Sequence, residues 1–374
     1  MCNLHPQKTN SAQMVYNVIG LMSGSSLDGL DIAYVQLTEI SGKWEYDIQY
    51  TQCEAYPEDL KAQLATAAQL PVPRYLKLHT DFGHYIGNQV NEFIAKNQLQ
   101  HKVHFIASHG HTTWHEPQAR TTAQIGDGAA IAAITLLPVI TDLRNTDVAL
   151  GGQGAPIVPI ADQLLFSNYD FCLNIGGIAN VTINNNTPIA FDICTANQIL
   201  NHYAALLGLP YDDKGLEAQK GNVNEEVLAA LNALPYYQQP TPKSLHNGYL
   251  QEAILPLIAG LHANDALATT VQHIAIMIAK ALAPYLNPLV QQSLLVTGGG
   301  AFNDYLLTQI AEQLQPNGNV QISTIDTTTI AYKEALAMAL MGALRWREET
   351  NVLQSVTGAS SSNIGGAMWL PPLD

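Results

Sequence analysis

Apolar residues recur along the chain in two rhythms. Short Val/Ile-rich runs such as Val18–Leu21, Leu30–Val35, Phe171–Ile175, Val181–Ile183, Ile189–Phe191 and Leu294–Val296 read as strands. Ala/Leu-rich stretches at Leu257–Leu261, Val271–Leu286 and Asp304–Leu314 read as helices. The alternation predicts an α/β chain. At about 150 residues per domain, 374 residues predict two domains, each large enough for its own core. A cleft between them is the expected place for a ligand.

Three of the strand-like runs end in glycine turns. The first, Gly20-Leu21-Met22-Ser23-Gly24-Ser25-Ser26-Leu27-Asp28-Gly29, separates two apolar runs. Its glycines permit close backbone approach, its serines add hydroxyls and N–H groups for an anion, and Asp28 adds a carboxylate that could act through a metal. No Gly-Lys-Ser/Thr follows, and no G-x-G-x-x-G opens a helix, so neither a Walker A loop nor a dinucleotide fold is indicated. Taken alone, the segment reads first as an ordinary hairpin turn, with anion binding the second reading.

The design recurs at Asn174-Ile175-Gly176-Gly177, with a strand beyond it running to Asp192. It recurs again at Gly298-Gly299-Gly300, followed by Asn303 and a helical pattern from Asp304. Strand, glycine turn and helix start in that order favour a phosphate-bearing ligand, although a tight connection would give the same pattern.

Composition narrows the partners. A net charge of −15 opposes nonspecific binding to nucleic acid or to an anionic membrane, but not to a small anion held locally. Cys2, Cys53, Cys172 and Cys194 are widely spaced, which argues against a zinc site and a disulfide framework. With a polar Met1–Met14 and no apolar run of about 18 residues, the expectation is a cytoplasmic protein with reduced thiols. Cys194 reads as a small buried hydrophobe rather than a nucleophile.

Together, the glycine turns in a two-domain α/β chain resemble the actin, Hsp70 and sugar-kinase superfamily. Within it the resemblance narrows to the anhydro-N-acetylmuramic acid kinase family. It is carried by the 20–29 turn, Ser108-His109-Gly110-His111-Thr112, Gln124-Ile125-Gly126-Asp127, Asp142-Leu143-Arg144, Gly151-Gly152-Gln153-Gly154-Ala155-Pro156 and Asn174–Asn180. Pro242-Lys243-Ser244, Gly298–Ala301, Lys333–Leu336 and Val356–Ala359 continue it in order.

The resemblance implies two RNase H-like lobes with an interlobe cleft. It also implies an ATP- and Mg²⁺-dependent kinase that opens a 1,6-anhydro amino sugar with water and phosphorylates the released O6. Asp192 would be the base; His109, Arg144 and Glu334 would bind sugar. Gly20, Ser23, Gly24, Ser25, Ser26, Asp28, Gly29, Asn174, Gly176, Gly177, Gly298, Gly299, Gly300 and Asn303 would bind ATP, with Asp28 reaching Mg²⁺ through water. The family also allows a homodimer. Alternatives are a superfamily kinase for another amino sugar and a nucleotide-binding protein without transfer activity.

Several positions depart from the family pattern. Ile193-Cys194-Thr195-Ala196 replaces a glycine-containing loop after Asp192, and Ile134 stands where many relatives carry Arg. His111 often has Gln as its counterpart; its predicted role is hydrogen bonding to sugar or core groups. Lys243 is a phosphate-steering or solvated side chain, Lys333 a solvated neighbour, and Glu334 is expected to open its helix. The lobes are placed at 1–140 with 346–374, and at 141–345, each around a five-stranded sheet.

Overall fold

The computed structural model describes residues 13–24, 27–241, 243–245 and 248–372. Two compact units divide the chain: 1–165 with 334–374, and 166–333.

The first unit is built on β1 (Met14–Ser23), β2 (Leu30–Ile40), β3 (Lys43–Glu54), β4 (Phe105–Glu116), β5 (Thr121–Ile125) and β6 (Val139–Thr141). β1, β2 and β3 form an antiparallel meander, while β4 lies parallel to β1 and β6 parallel to β4. β1 is central, so its Val18, Ile19 and Leu21 are buried; β3 is an edge and alternates charged residues outward. Helix α1 (Val72–Lys96) buries Leu78, Phe82, Ile86, Val90 and Phe93, a stripe at three- and four-residue spacing. A short α2 (Gly128–Thr135) is capped by the Asp127 carboxylate.

The second unit holds β7 (Phe171–Ile175), β8 (Ile178–Ile183), β9 (Ile189–Thr195), α3 (Asn197–Leu206), α4 (Ala263–Leu282), β10 (Gln291–Thr297), α5 (Asp304–Leu314) and β11 (Asn319–Ser323). Its strand order is β11-β10-β7-β8-β9. The first sheet contains β6-β4-β1-β2-β3 with the same senses of pairing. Both are therefore the RNase H-like arrangement of a meander plus two parallel strands. The segment 263–285 is long and apolar enough to cross a membrane, but it is mostly buried within its own unit, as a core helix is.

Helix α6 (Thr327–Trp346) leaves helical dihedrals at Tyr332 (φ −112°, ψ 18°), just before the division between units. Beyond it, β12 (Ala367–Trp369) adds antiparallel to β6.

The expectations need correction here. The first sheet has seven strands rather than five, because β5 folds back on β4 and β12 joins the edge. The divisions fall at 165/166 and 333/334 rather than 140/141 and 345/346. Residues 145–165 stay with the first unit because buried Asp147 is tied to the C-terminal Thr357 and Asn363. The later part of α6 stays there because Gly20 of β1 touches the Ala335 carbonyl, leaving no room for a Cβ, and Trp346 stacks on Phe105.

Candidate active site

In the first unit, the 24–29 turn connects β1 to β2, closed by the pair Ser23 and Leu30. Asp28 is exposed on it and accepts from the Gly29 N–H at 3.1 Å. Ser25 and Ser26 lie outside the described residues. Two expected phosphate contacts are reassigned. Gly20 sits inside β1, where its missing side chain admits α6. Ser23 is buried, accepts from the Tyr56 hydroxyl at 2.7 Å and lies 3.0 Å from His111 Nδ1.

The sugar-binding candidates His109, Arg144 and Glu334 come together in this unit. His109 Nδ1 faces the Gly110 carbonyl at 2.8 Å, and its Nε2 accepts from Arg144 Nε at 2.8 Å. These partners fix the tautomer with its proton on Nδ1. Burial first, then the Arg144 charge, pushes the imidazole pKa down to about 3, so His109 is neutral. With both nitrogens engaged by the protein, it orients Arg144 rather than presenting a free nitrogen to a ligand.

Arg144 Nη1 also donates to the Gly154 carbonyl at 2.7 Å. Burial lowers the guanidinium pKa to about 10, against the supporting charge of Glu334, so Arg144 stays cationic at neutral pH. Glu334 is exposed and sits within α6, which opens at Thr327 rather than at Glu334. A fixed guanidinium with a nearby carboxylate suits a polar, hydroxyl-rich ligand.

Asp147 holds this neighbourhood in place and was not evident as a functional residue from sequence. Fully buried, its carboxylate accepts from the Gly154 N–H (2.8 Å), the Thr357 hydroxyl (2.7 Å) and the Asn363 amide (3.0 Å). The glycine-rich 151–154 loop and the 356–359 segment, far apart in sequence, thus share one carboxylate.

In the second unit, the other two glycine turns meet. Gly298 has φ +78°, and a Cβ there would come within 2.6 Å of Asn174 Oδ1 and 2.7 Å of the Ile175 carbonyl. Such contact demands glycine. Gly299 faces Asn197 Nδ2, and Gly300 packs on Ile175. The Gly176 and Gly177 carbonyls accept from Asn197 N–H (3.0 Å) and Ala196 N–H (2.8 Å), which fixes the second turn on the start of α3. Asn303 caps α5 by accepting from the Leu306 N–H at 2.9 Å. Lys333 is buried rather than solvated: its ammonium donates to Thr297 Oγ1 at 3.4 Å, beneath the Gly298 turn, and lies over the Phe166 ring.

Asp192 lies within β9, not at its end, because Ile193, Cys194 and Thr195 continue the strand. Its N–H donates to the Lys243 carbonyl (2.9 Å), its carbonyl accepts from the Tyr236 hydroxyl (2.7 Å), and its Oδ2 accepts from the Leu245 N–H (2.9 Å). Burial raises the carboxyl pKa above 3.8, outweighing the lowering by Leu245. Lys243 donates to the Tyr236 carbonyl at 3.1 Å and sits over its ring, so it braces the residue that braces Asp192. A cavity of about 320 Å³ is lined by Phe191, Ile193, Tyr237, Lys243, Met277 and Lys280. Phe191 and Ile193 alternate with Asp192 along β9, so it opens on the strand face away from the carboxylate. Buried Cys194 has its thiol pKa pushed up, which leaves it inert as a nucleophile.

Among the described residues, no group of three or more His, Cys, Asp or Glu side chains could hold a metal alone. Exposed Asp28 does fit Mg²⁺, which binds through one or two carboxylates with waters and phosphate oxygens.

The family model for anhydro-N-acetylmuramic acid kinase matches residues 16–371. The chain is 35% identical to the enzyme of that name from Haemophilus influenzae, covering 94% of this chain and 97% of the relative. It is 34% identical to that from Photobacterium profundum, covering 94% and 98%. The corresponding Sulfurovum protein is 31% identical, again over 94% and 98%.

Proposed function

The chain belongs to the anhydro-N-acetylmuramic acid kinase family, and on that premise we propose that Asp192 is the base of its reaction. The protein is an ATP-dependent kinase that acts on 1,6-anhydro-N-acetylmuramic acid in the recycling of peptidoglycan. Water adds to C1 and the C1–O6 ether bond breaks. O6 takes the γ-phosphoryl group as its bond to ADP breaks, and the water proton passes to the carboxylate. The product is N-acetylmuramic acid 6-phosphate.

Asp192 is supported in that role by its setting: a carboxylate made more basic by burial, yet held at both main-chain groups and at Oδ2 by residues 236–245. Arg144 and Glu334 bind the sugar, with His109 orienting Arg144. The Gly24–Gly29 turn bears phosphates, while Asn174, Gly176 and Gly298–Gly300 bear the nucleotide. Asp28 would hold Mg²⁺ through water; bound there, the ion would offset phosphate charge. Free thiols at Cys53, Cys172 and Cys194 fit action in the cytoplasm.

The decisive experiment supplies ATP, Mg²⁺ and the anhydro sugar in ¹⁸O-labelled water. Wild-type protein should give 6-phosphate labelled at C1. Asp192→Asn should lose about a thousandfold in kcat while retaining ATP binding. Wild-type turnover in that variant would remove Asp192 as the base, and turnover of plain hexosamines alone would remove the sugar assignment.

A further inference from the structure

Three buried side chains with no part in the reaction above form a connected chain at the root of the first glycine turn. Tyr56, Ser23 and His111 are each at most 5% exposed. The Tyr56 hydroxyl donates to Ser23 Oγ at 2.7 Å, and Ser23 Oγ lies 3.0 Å from His111 Nδ1. In the tautomer with Nδ1 unprotonated, the imidazole accepts the Ser23 proton while the serine oxygen accepts from Tyr56.

The backbone has been shaped to make this meeting. Along the parallel β1–β4 pair, Leu21 is opposite Ser108 but Ser23 is opposite His111, so β4 carries one extra residue there. Gly110, at φ +70°, lies within the irregularity. A bulge re-aims the side chains beyond it; in the unbroken register Gly110 would face Ser23 and offer no acceptor side chain.

Ser23 is the last residue of β1, and Gly24 follows it directly. We propose that Tyr56 and His111 are positioning residues for ATP: through Ser23 they fix the backbone at the point where the phosphate-bearing turn leaves the sheet, and they do so only while His111 is neutral. The proposal rests on the reading that the 24–29 turn bears the phosphates.

Charge and burial agree with this role. Burial holds the His111 pKa below 6.5, so the neutral imidazole, which can accept at Nδ1, prevails at neutral pH. The titratable neighbours of the chain are Tyr85 on α1, Asp31 on β2 and Cys53 on β3 around Tyr56, and His109 on β4 beside His111. His109 is itself neutral, so it places no fixed charge on His111. Burial also raises the Tyr56 pKa, which keeps its hydroxyl a donor. Acidification therefore acts on the chain at His111. Protonated, Nδ1 becomes a donor to the serine oxygen, which then receives two donors, and the Ser23 proton must leave the imidazole for another acceptor, which alters the anchor of the turn.

Steady-state kinetics with ATP and sugar varied separately test this. Tyr56→Phe and His111→Ala should each raise the ATP KM by about fivefold and leave the sugar KM within about twofold. His111→Gln supplies an amide oxygen as acceptor that does not titrate. It should restore the ATP KM and abolish the acid loss of kcat/KM for ATP that is expected of wild-type protein as pH falls through the lowered His111 pKa, which lies below 6.5. Unchanged ATP KM values in the first two variants, equal changes in both KM values, or an acid loss that persists in His111→Gln would each overturn the proposal. Asp28→Ala separates the underlying reading: if it leaves ATP affinity untouched, the turn does not bear phosphates, whatever Tyr56 and His111 do. Should Tyr56→Phe fold poorly, His111→Ala and His111→Gln decide the outcome.

Discussion

Asp147 in the first unit and Asp192 in the second are the same side chain with very different supplies of hydrogen-bond donors. Asp147 has no exposure, but three donors converge on its carboxylate. Asp192 is less enclosed, yet the Leu245 N–H does not offset the burial it suffers, and its pKa rises. A buried carboxylate supplied with enough hydrogen bonds acts as a tie between loops. One undersupplied with them, as Asp192 is, has its pKa raised by burial. The sequence neighbours of the two residues do not reveal this difference; the donors do.

The sharpest way to break the contrast is Asp147→Ala. It strands the Gly154 N–H, the Thr357 hydroxyl and the Asn363 amide in a dry interior, and should cost about 3 kcal/mol of stability by urea unfolding. A loss under about 0.5 kcal/mol would show that the three donors find other partners, and Asp147 would cease to be a tie.

A smaller effect is expected from Gly298→Ala, which forces a left-handed backbone and a Cβ against Asn174 and Ile175. About 1–2 kcal/mol of strain should appear as a raised ATP KM with little change in the sugar KM. A rise in the sugar KM instead would move the nucleotide role away from this turn.

The smallest change, and the most telling for the comparison, is the stability of Asp192→Asn. The folded pKa of Asp192 lies above its unfolded value of 3.8, so the fold favours the protonated form. Its contribution is present at low pH and is lost as pH rises through the interval from 3.8 to the raised value. At neutral pH the ionised side chain therefore weakens the fold. Asp192→Asn should melt no lower than wild type at pH 7 and should flatten that part of the stability–pH curve. A clear drop in Tm would mean that Asp192, like Asp147, is a structural tie.

Much of this organisation was legible in the sequence. The apolar runs on either side of the first two glycine segments pair antiparallel, β1 with β2 and β7 with β8, and the segment 291–314 forms strand, turn and helix as its pattern indicates. Local patterns carried these because the interactions that form them are local. Asp147 was hidden because its partners Thr357 and Asn363 are more than 200 residues away. Tyr56 carried no motif, and its importance comes from a β-bulge on a distant strand. Lys333 looked solvated beside Glu334 because charged residues usually are; its ammonium is instead buried against Thr297, a partner 36 residues away. The continuation of β9 past Asp192 was signalled by Ile193 and Thr195, both β-branched, but the family's loop at that place masked the signal.

The β12 strand and the Asp147 tie have a consequence for the order in which the molecule can be completed. Residues 166–333 are contiguous, so the second unit has all its parts as soon as that segment has been synthesised. The first unit does not: Thr357, Asn363 and the strand that covers β6 arrive only after the whole of the second unit. On the ribosome, the half of the protein that is begun first is therefore finished last, with the β6 edge and the Asp147 carboxylate waiting for their partners throughout the synthesis of the second unit.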